Sequence, residues 1–158
     1  MDFEAIYLQY SPQVFRVCMG YINDYEHARD ITQETFIAVW QNLPSFRHQS
    51  AISTWIFRIA TNNCLRALER SKRKPIGELP YHLPAPHEET IEEKLQFLYS
   101  CIAELEETER IVISLVLEDL PQAEIASIVG LSIANTRVKI HRIKEKLAIK
   151  FKDHGQFR

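Results

Sequence analysis

Glycine and cysteine are scarce in this sequence of 158 residues, which holds four and three of them. The cysteines are odd in number and widely separated, and neither a CxxC nor an HxxxH spacing occurs. We therefore expect reduced, buried thiols and no disulfide framework, metal site or cofactor. No apolar stretch approaches the roughly 18 residues of a membrane-spanning helix. The opening residues, MDFEAIYLQY, lack the features of a secretory signal, so we expect a cytoplasmic protein without membrane insertion.

Sustained alternation of apolar and polar residues is also absent, whereas apolar residues recur at helical spacing. This pattern predicts an all-α fold. The first helix is predicted over about 3–22, with a break or restart at Pro12. A second helix over about 25–42 has Asp24 as its N-cap. Its inward side chains are expected to be Ala28, Ile31, Thr35, Phe36, Val39 and Trp40.

A polar loop over 43–50 leads to a third predicted helix over about 51–71. Residues 72–89 then contain four prolines and a glycine and show no helical stripe, which is typical of a linker. We therefore predict two small helical domains, 1–71 and 90–158, joined by a flexible, extended tether. The second domain is predicted to hold four helices, at about 90–105, 108–119, 122–129 and 133–150.

Charge is strongly segregated, although the net charge is only −2. Residues 84–109 hold eight glutamates against Lys94 alone, and residues 132–152 hold seven lysines or arginines against Glu145 alone. A second basic cluster, RALERSKRK, occupies 66–74. Two basic patches on one chain favour two contacts with a polyanion, with ordinary solvated faces as the alternative.

The segment 120–147, LPQAEIASIVGLSIANTRVKIHRIKEKL, predicts a helix-turn-helix. Ala126 lets two helices cross closely, Gly130 can take a positive φ, and Ser132 can cap the second helix. The core side of that helix is expected to carry Ile133, Ile140, Ile143 and Leu147. The opposite face can enter a major groove with Asn135, Arg137, Val138, Lys139, His141 and Arg142. A purely structural hairpin is the alternative.

The first domain carries its own candidate residues. Asp30, Gln33 and Glu34 lie close together on the second helix, where they form either a docking surface for a basic partner or a set of solvated acids. Phe46 in the loop, followed by Arg58 and Asn62, suits single-stranded DNA, because its unstacked bases offer faces and hydrogen-bonding edges. A buried Phe46 is the competing interpretation.

In three blocks the chain resembles bacterial sigma factors of the extracytoplasmic-function (ECF) group: ARDITQETFIAVW, FRHQSAISTWIFRIATN and EIASIVGLSIANTRVKIHRIKEKL. The resemblance covers nearly the whole chain in the right order. It implies two helical domains, regions 2 and 4, and two main partners. These are core RNA polymerase, through its β′ clamp helices and β flap, and promoter DNA, as −35 duplex and single-stranded −10. An anti-sigma factor is a further implied partner.

The resemblance also assigns roles to residues. It implies polymerase binding by Asp30, Ile31, Gln33, Glu34 and Phe36. It implies contact with the −10 element by Phe46, Arg47, His48, Gln49, Ser50, Arg58 and Asn62, with Trp55 mainly in the core. It implies reading of the −35 element by Asn135, Arg137, Val138, Lys139, His141 and Arg142.

The chain departs from the family pattern at a few positions. Arg29 stands where the polymerase-binding motif usually has an acid, so docking is expected to be weaker or to use a modified surface. Arg66 also stands where an acid is common. Asn135 and Thr136 replace Thr and Val, and Lys139 replaces a frequent Arg. Lysine cannot form the bidentate fork of arginine, so the promoter sequence stays open.

The resulting hypothesis is a sigma factor that directs promoter-specific initiation, with catalysis supplied by the polymerase. No nucleophile–base pair, metal set or Gly-rich phosphate loop is found, so an enzyme is not expected. The alternative is a conventional helix-turn-helix regulator that binds duplex DNA independently of polymerase. A protein-binding helical adaptor is a third possibility, which the two basic patches disfavour.

Overall fold

The computed structural model describes residues 2–71 and 91–156. Seven α-helices occur in these ranges, with no strand in either, so the all-α prediction is confirmed for the described residues. The predicted linker 72–89 and the end of the basic cluster 66–74 lie outside them. The helices are α1 Phe3–Ile22, α2 Tyr25–Asn42, α3 Ile52–Ser71, α4 Ile91–Ala103, α5 Glu107–Leu117, α6 Gln122–Val129 and α7 Ile133–Gln156, with a 3₁₀ turn at Leu43–Ser45.

Pro12 does not interrupt the first helix, contrary to the prediction, because α1 is continuous from Phe3 to Ile22. A proline removes the hydrogen bond to the carbonyl four residues earlier. Here that residue is Leu8, which is 67% exposed, so water can reach this side of the helix. The predicted N-cap of α2 is confirmed, since Asp24 Oδ1 accepts the His27 N–H at 3.0 Å.

Helices α1, α2 and α3 pack around a core that includes Val14, Phe36 and Phe57. The expected inward stripe of α2 is correct except at its last member. Trp40 is 62% exposed and not part of the core. The cysteines are free and buried, as expected, and the sulfur atoms of Cys18 and Cys64 lie 3.7 Å apart between α1 and α3.

Helix α7 packs on α5 and α6 through Ile140, Ile143 and Leu147, as predicted. Ile133 was also expected in this stripe but is 49% exposed. The buried stripe begins three residues later, at Thr136, whose hydroxyl donates to the Ser132 carbonyl at 2.8 Å. A polar side chain can occupy that position because this local hydrogen bond satisfies it.

The N-terminal half, α1–α3, packs directly against the C-terminal half, α4–α7, where we expected an extended arrangement. Helix α1 contacts α4 and α5, and α3 contacts α6. Gly20 allows the closest approach, since a Cβ there would lie 2.1 Å from Ser114 Oγ. Arg16 forms two hydrogen bonds with Glu118, at 2.6 and 2.8 Å. One buried apolar cluster therefore runs through both halves.

Candidate docking surfaces and nucleic-acid interface

The acidic row on α2 points outward. Asp30, Gln33 and Glu34 are all exposed. Ile31 and Phe36, which the resemblance placed in the same docking motif, are only 2% and 3% exposed. These buried side chains hold the helix in place, and polymerase contact at either residue stays a prediction.

An open apolar groove continues the acidic row along α2 and α1. It has a volume of about 500 Å³ and is lined by Phe3, Tyr7, Gln33, Phe36, Ile37 and Trp40. Phe36 forms the floor, with its ring in edge-to-face contact with Tyr7 at 5.1 Å. Ile37 and Trp40 are 55% and 62% exposed. Sequence reasoning missed these two residues, although they follow Gln33 by four and seven positions, which places all three on one helix face.

A second, smaller cleft lies on the other side of the acidic row. Its volume is about 140 Å³, and its lining includes His27, Asp30, Glu34 and Arg66. The guanidinium group of Arg66 thus shares a cleft with the two carboxylates that repel each other along α2. This arrangement places a positive group of α3 beside the acidic pair of α2.

The loop between α2 and α3 and the outer face of α3 enclose a polar cleft of about 710 Å³, within the range of sites that hold small ligands. Phe46 is half-buried here, because its ring packs on Trp55 at 4.8 Å and on His48 at 4.6 Å between centroids. His48 adopts a positive φ of 57°. The lining residues are Ala38, Asn42, Ser45, Phe46, Arg47, Gln49, Ser50, Trp55, Arg58, Ile59, Asn62, Asn63, Arg66 and Ser127.

Six of the seven residues assigned to −10 contact line this cleft, and the seventh, His48, packs at a tilt against the ring of Phe46. Arg58 and Asn62 lie on α3 with exposed side chains. Arg58 is already engaged, since its Nη2 donates to Ser127 Oγ at 2.6 Å. Ser127 belongs to α6, so one wall of the cleft comes from the C-terminal half. Sequence reasoning missed this residue, because nothing in the local pattern links it to α3.

The helix-turn-helix has the predicted turn. Gly130 ends α6 with φ 76°, and its N–H bonds to the Ala126 carbonyl at 2.9 Å. Ser132 caps α7, because its hydroxyl accepts the Asn135 N–H at 3.0 Å. Ala126 is 3% exposed where the two helices cross. These local features orient α7 relative to α6 as in a helix-turn-helix.

The outward face of α7 carries five exposed predicted contacts and one half-buried one. The exposed residues are Asn135, Arg137, Val138, His141 and Arg142, and Lys139 is half-buried. Val138 is 49% exposed, and His141 Nε2 lies 3.1 Å from Glu145 one turn later. An arginine, a valine and a histidine side by side offer donors and an apolar patch to base edges in a major groove.

The basic residues of α7 divide into two groups that sequence alone does not separate. Lys146 donates to both carboxylate oxygens of Glu109, at 3.0 and 2.9 Å, and Lys150 pairs with Glu104. Both acids come from the acidic segment of α4–α5. Lys146 and Lys150 therefore use their charge within the protein, whereas Arg137 and Arg142 are exposed on the reading face.

Glu109 is almost completely buried, with a side chain 6% exposed. Burial disfavours its ionised form, but hydrogen bonds from Lys146 and from the Glu106 N–H outweigh this and lower its pKa below the ordinary value of 4.5. The carboxylate is thus charged at neutral pH and helps to hold α7 against α5.

Within the two described ranges, no helix is long and apolar enough to cross a membrane. No group of three or more potential metal ligands is found in this part of the chain either.

Comparison with known protein families places these surfaces in context. Residues 6–74 match the family model Sigma-70 region 2, and residues 96–147 match the model Sigma-70, region 4. The ECF RNA polymerase sigma-E factor of Haemophilus influenzae is 30% identical over 134 residues, which cover 75% of this chain and 71% of that protein. The chain belongs to the ECF sigma factors of the sigma-70 family.

Two further sigma factors resemble the chain over a shorter segment or at a lower identity. SigG of Mycobacterium tuberculosis is 36% identical over 75 residues, which are 48% of this chain and a fifth, 20%, of that longer protein. The sigma factor RpoE of Bartonella quintana, solved in complex with the anti-sigma factor NepR, superposes with a TM-score of 0.79 at 21% identity. That superposition covers 96% of this chain and 97% of the other, and it shows a shared fold.

Proposed function

We propose that this sigma factor binds core RNA polymerase and directs promoter-specific transcription initiation by reading −35 and −10 elements. One observation carries the proposal: the same chain presents an exposed duplex-reading helix and, separately, a polar cleft lined by aromatic, amide and guanidinium side chains. A regulator that binds duplex DNA alone has no use for the second feature. Catalysis belongs to the polymerase, and the chain acts in the cytoplasm.

Polymerase docking is assigned to the outer face of α2. Asp30, Gln33 and Glu34 supply polar and negative groups, and Ile37 and Trp40 add an apolar surface directly beside them. A helical partner with basic and apolar side chains, such as the β′ clamp helices, complements both parts of this face. Exposed aromatic residues beside charged ones commonly dominate the binding energy of an interface.

Promoter opening is assigned to the cleft between α2 and α3. An unstacked base of the −10 strand enters beside Phe46 and Trp55, while Arg58 and Asn62 contact the strand and its phosphates. Stacking on aromatic rings is worth about 1–3 kcal/mol per base, so capture of a flipped base offsets part of the cost of melting.

Reading of the −35 duplex is assigned to α7, with Asn135, Arg137, Val138, His141 and Arg142 toward the bases. Lys139 is half-buried and suits a phosphate contact. The helix-turn-helix positions α6 across the backbone and α7 in the major groove.

The units 1–71 and 90–158, with the linker 72–89 between them, are proposed as regions 2 and 4. Region 4 docks on the β flap. We also propose an anti-sigma factor as a partner, since contacts between two domains are a place where a third protein can act.

The test is run-off transcription with purified core polymerase on a promoter library, with and without the protein. Protein-dependent initiation at sites that share paired −35 and −10 motifs is the expected result. The variant Asp30→Asn/Glu34→Gln should lower both polymerase binding and transcription by about tenfold, the typical scale for loss of two interface charges.

The matched control is Glu4→Gln/Asp153→Asn, which removes the same charge from exposed positions outside α2. This control should behave like the native protein. Sequence-specific duplex binding without any effect of polymerase would instead assign the chain to the conventional regulators.

A further inference from the structure

His141 differs from the arginines of the reading face, because its hydrogen-bonding character depends on the position of a single proton. Its side chain is 74% exposed, and its Nε2 lies 3.1 Å from Oε1 of Glu145, one turn later on α7. The Glu145 side chain is itself 65% exposed, so the pair lies on the outer surface of the helix. A neutral imidazole has one protonated and one unprotonated nitrogen, and its tautomer therefore decides which base atoms it can recognise.

The contact with Glu145 selects one tautomer. An ionised carboxylate only accepts hydrogen bonds, so the Nε2 that faces it must carry the proton. In neutral His141 the other ring nitrogen, Nδ1, is then an unprotonated acceptor. Because the side chain is 74% exposed, this acceptor can reach a group outside the protein.

Other charges near α7 leave this assignment unchanged. The charged neighbours of His141 one turn away on its own helix are Arg137, Lys144 and Glu145. Three acids from the segments packed against α7 are bound by other groups: Glu104 by Lys150, Glu109 by Lys146, and Glu124 by the first turn of α3. Glu145 is thus the acid that the structure places against the imidazole ring.

We infer that Glu145 is a positioning residue for promoter recognition, which holds His141 as an acceptor so that Nδ1 reads an exocyclic amino group of the −35 duplex. In the major groove, adenine N6 and cytosine N4 carry amino donors, whereas guanine O6 and thymine O4 are acceptors. His141 therefore selects adenine or cytosine on the strand that it faces. This inference rests on the assignment of α7 to −35 DNA under the proposed function.

The first experiment uses the full chain without DNA. Long-range proton–nitrogen NMR spectra distinguish protonated from unprotonated ring nitrogens, and a His141→Ala variant assigns the signals. At about pH 8, where histidine is ordinarily neutral, the Nε2–H form should predominate in the native protein. Its fraction should fall in Glu145→Gln, because an amide can either accept from Nε2 or donate to it.

The second experiment measures affinities for −35 duplexes taken from the run-off screen, with every base pair varied in turn. The position read by His141 is the one at which His141→Ala loses its preference. At about pH 8 the native protein should prefer adenine or cytosine there by about fivefold, which corresponds to about 1 kcal/mol for one hydrogen bond. Purine in place of adenine lacks the N6 amino group, so it should weaken native binding by a similar factor and leave His141→Ala unaffected.

The effect of Glu145 on the base preference can be separated from its effect on the total charge. Glu145→Gln removes a negative charge near the phosphates, so it should strengthen binding to every duplex. Its preference for adenine or cytosine should nevertheless fall to about twofold, because the tautomer is no longer selected. Asp153→Asn is the matched control, since it removes the same charge from another exposed position of α7 and should leave both the tautomer and the preference unchanged.

The pH dependence provides a readout that a purely structural role would not change. At about pH 5.5 the ring becomes protonated on both nitrogens, and Nδ1 turns from an acceptor into a donor. The native preference should then shift toward guanine or thymine, whereas His141→Ala should show no such shift.

An equal Nε2–H fraction in the native protein and Glu145→Gln would overturn the inference. So would a base preference that Glu145→Gln leaves unchanged, or the absence of any position at which His141→Ala loses its preference. Failure of the proposed function differs from these outcomes. In that case the native protein would bind no −35 duplex specifically and support no initiation, and the base-reading role would fall with it, whereas the NMR spectra would still report the tautomer that Glu145 selects.

Discussion

The two halves of this sigma factor prepare their binding surfaces in different ways. In the N-terminal half, α2 leaves Trp40 and Ile37 exposed beside an acidic row, and the first turn of α3 and Arg58 form hydrogen bonds with α6. In the C-terminal half, Lys146 and Lys150 are paired with acids of α4–α5, and the reading face is open. Polar side chains of the first half are thus engaged by the other half, whereas charges of the second half are paired within it. Three predictions test this difference.

The largest effect is expected at the apolar groove. Trp40→Ala should weaken polymerase binding by about 2 kcal/mol, roughly 30-fold in Kd, if Trp40 is an anchor of the docking face. The free energy of unfolding should change little, because the side chain is 62% exposed. Binding is measured by fluorescence anisotropy and unfolding by denaturant titration.

Leu8→Ala is the matched control for Trp40, since Leu8 is 67% exposed on α1 and does not line the groove. It should leave both quantities unchanged. Equal loss of polymerase binding in the two variants would mean that exposure of apolar side chains, and not the groove, explains the result.

The second prediction separates the two groups of basic residues on α7. Arg142→Ala should weaken −35 duplex binding by about 1.5 kcal/mol, roughly tenfold, as expected for an arginine at base edges or phosphates. Lys150→Ala removes the same charge from the same helix, but this lysine pairs with Glu104. It should weaken duplex binding by no more than about twofold, because the ion pair already neutralises it.

Duplex affinity at several salt concentrations provides the measurement. The logarithm of the duplex-binding constant falls linearly with the logarithm of the salt concentration. The slope of this line should become shallower in Arg142→Ala only if that arginine contacts a phosphate. Similar losses of duplex affinity in both variants would mean that DNA binding depends on the total charge of α7. The ion pair between Lys150 and Glu104 would then make no difference to DNA binding.

The smallest effect concerns the ion pair between Lys146 and Glu109. Because the folded state lowers the pKa of Glu109, the carboxylate stabilises the fold above the ordinary value of 4.5, and this contribution is lost as the pH falls through the lower, folded-state pKa. Glu109→Gln should therefore lower the free energy of unfolding at neutral pH by about 1 kcal/mol or less, because its partner Lys146 is half-exposed. The free energy of unfolding of this variant should also fall less steeply as the pH is lowered.

Denaturant titrations between neutral and acid pH test this prediction, with Glu104→Gln as the control. Glu104 is 69% exposed, so its removal should have almost no effect. An unchanged acid dependence in Glu109→Gln would mean that other carboxylates determine the acid stability of the contact between α5 and α7.

Local sequence determined the helices and their ends. Asp24, Gly130 and Ser132 have the predicted capping and turn roles, because each acts on backbone groups within a few residues of itself. The helix-turn-helix and its outward face followed from the same short-range rules. The pattern of α2 also identified the exposed acidic row correctly.

Only the tertiary structure decided which side chains are covered and which charges are paired. Helical spacing marks an apolar face but does not say where the neighbouring helix ends, so Trp40 and Ile133 were placed in the core although both are exposed. The bonds from Arg16 to Glu118 and from Arg58 to Ser127 join residues 102 and 69 positions apart. Such contacts depend on how the two halves pack, and no local pattern encodes that packing.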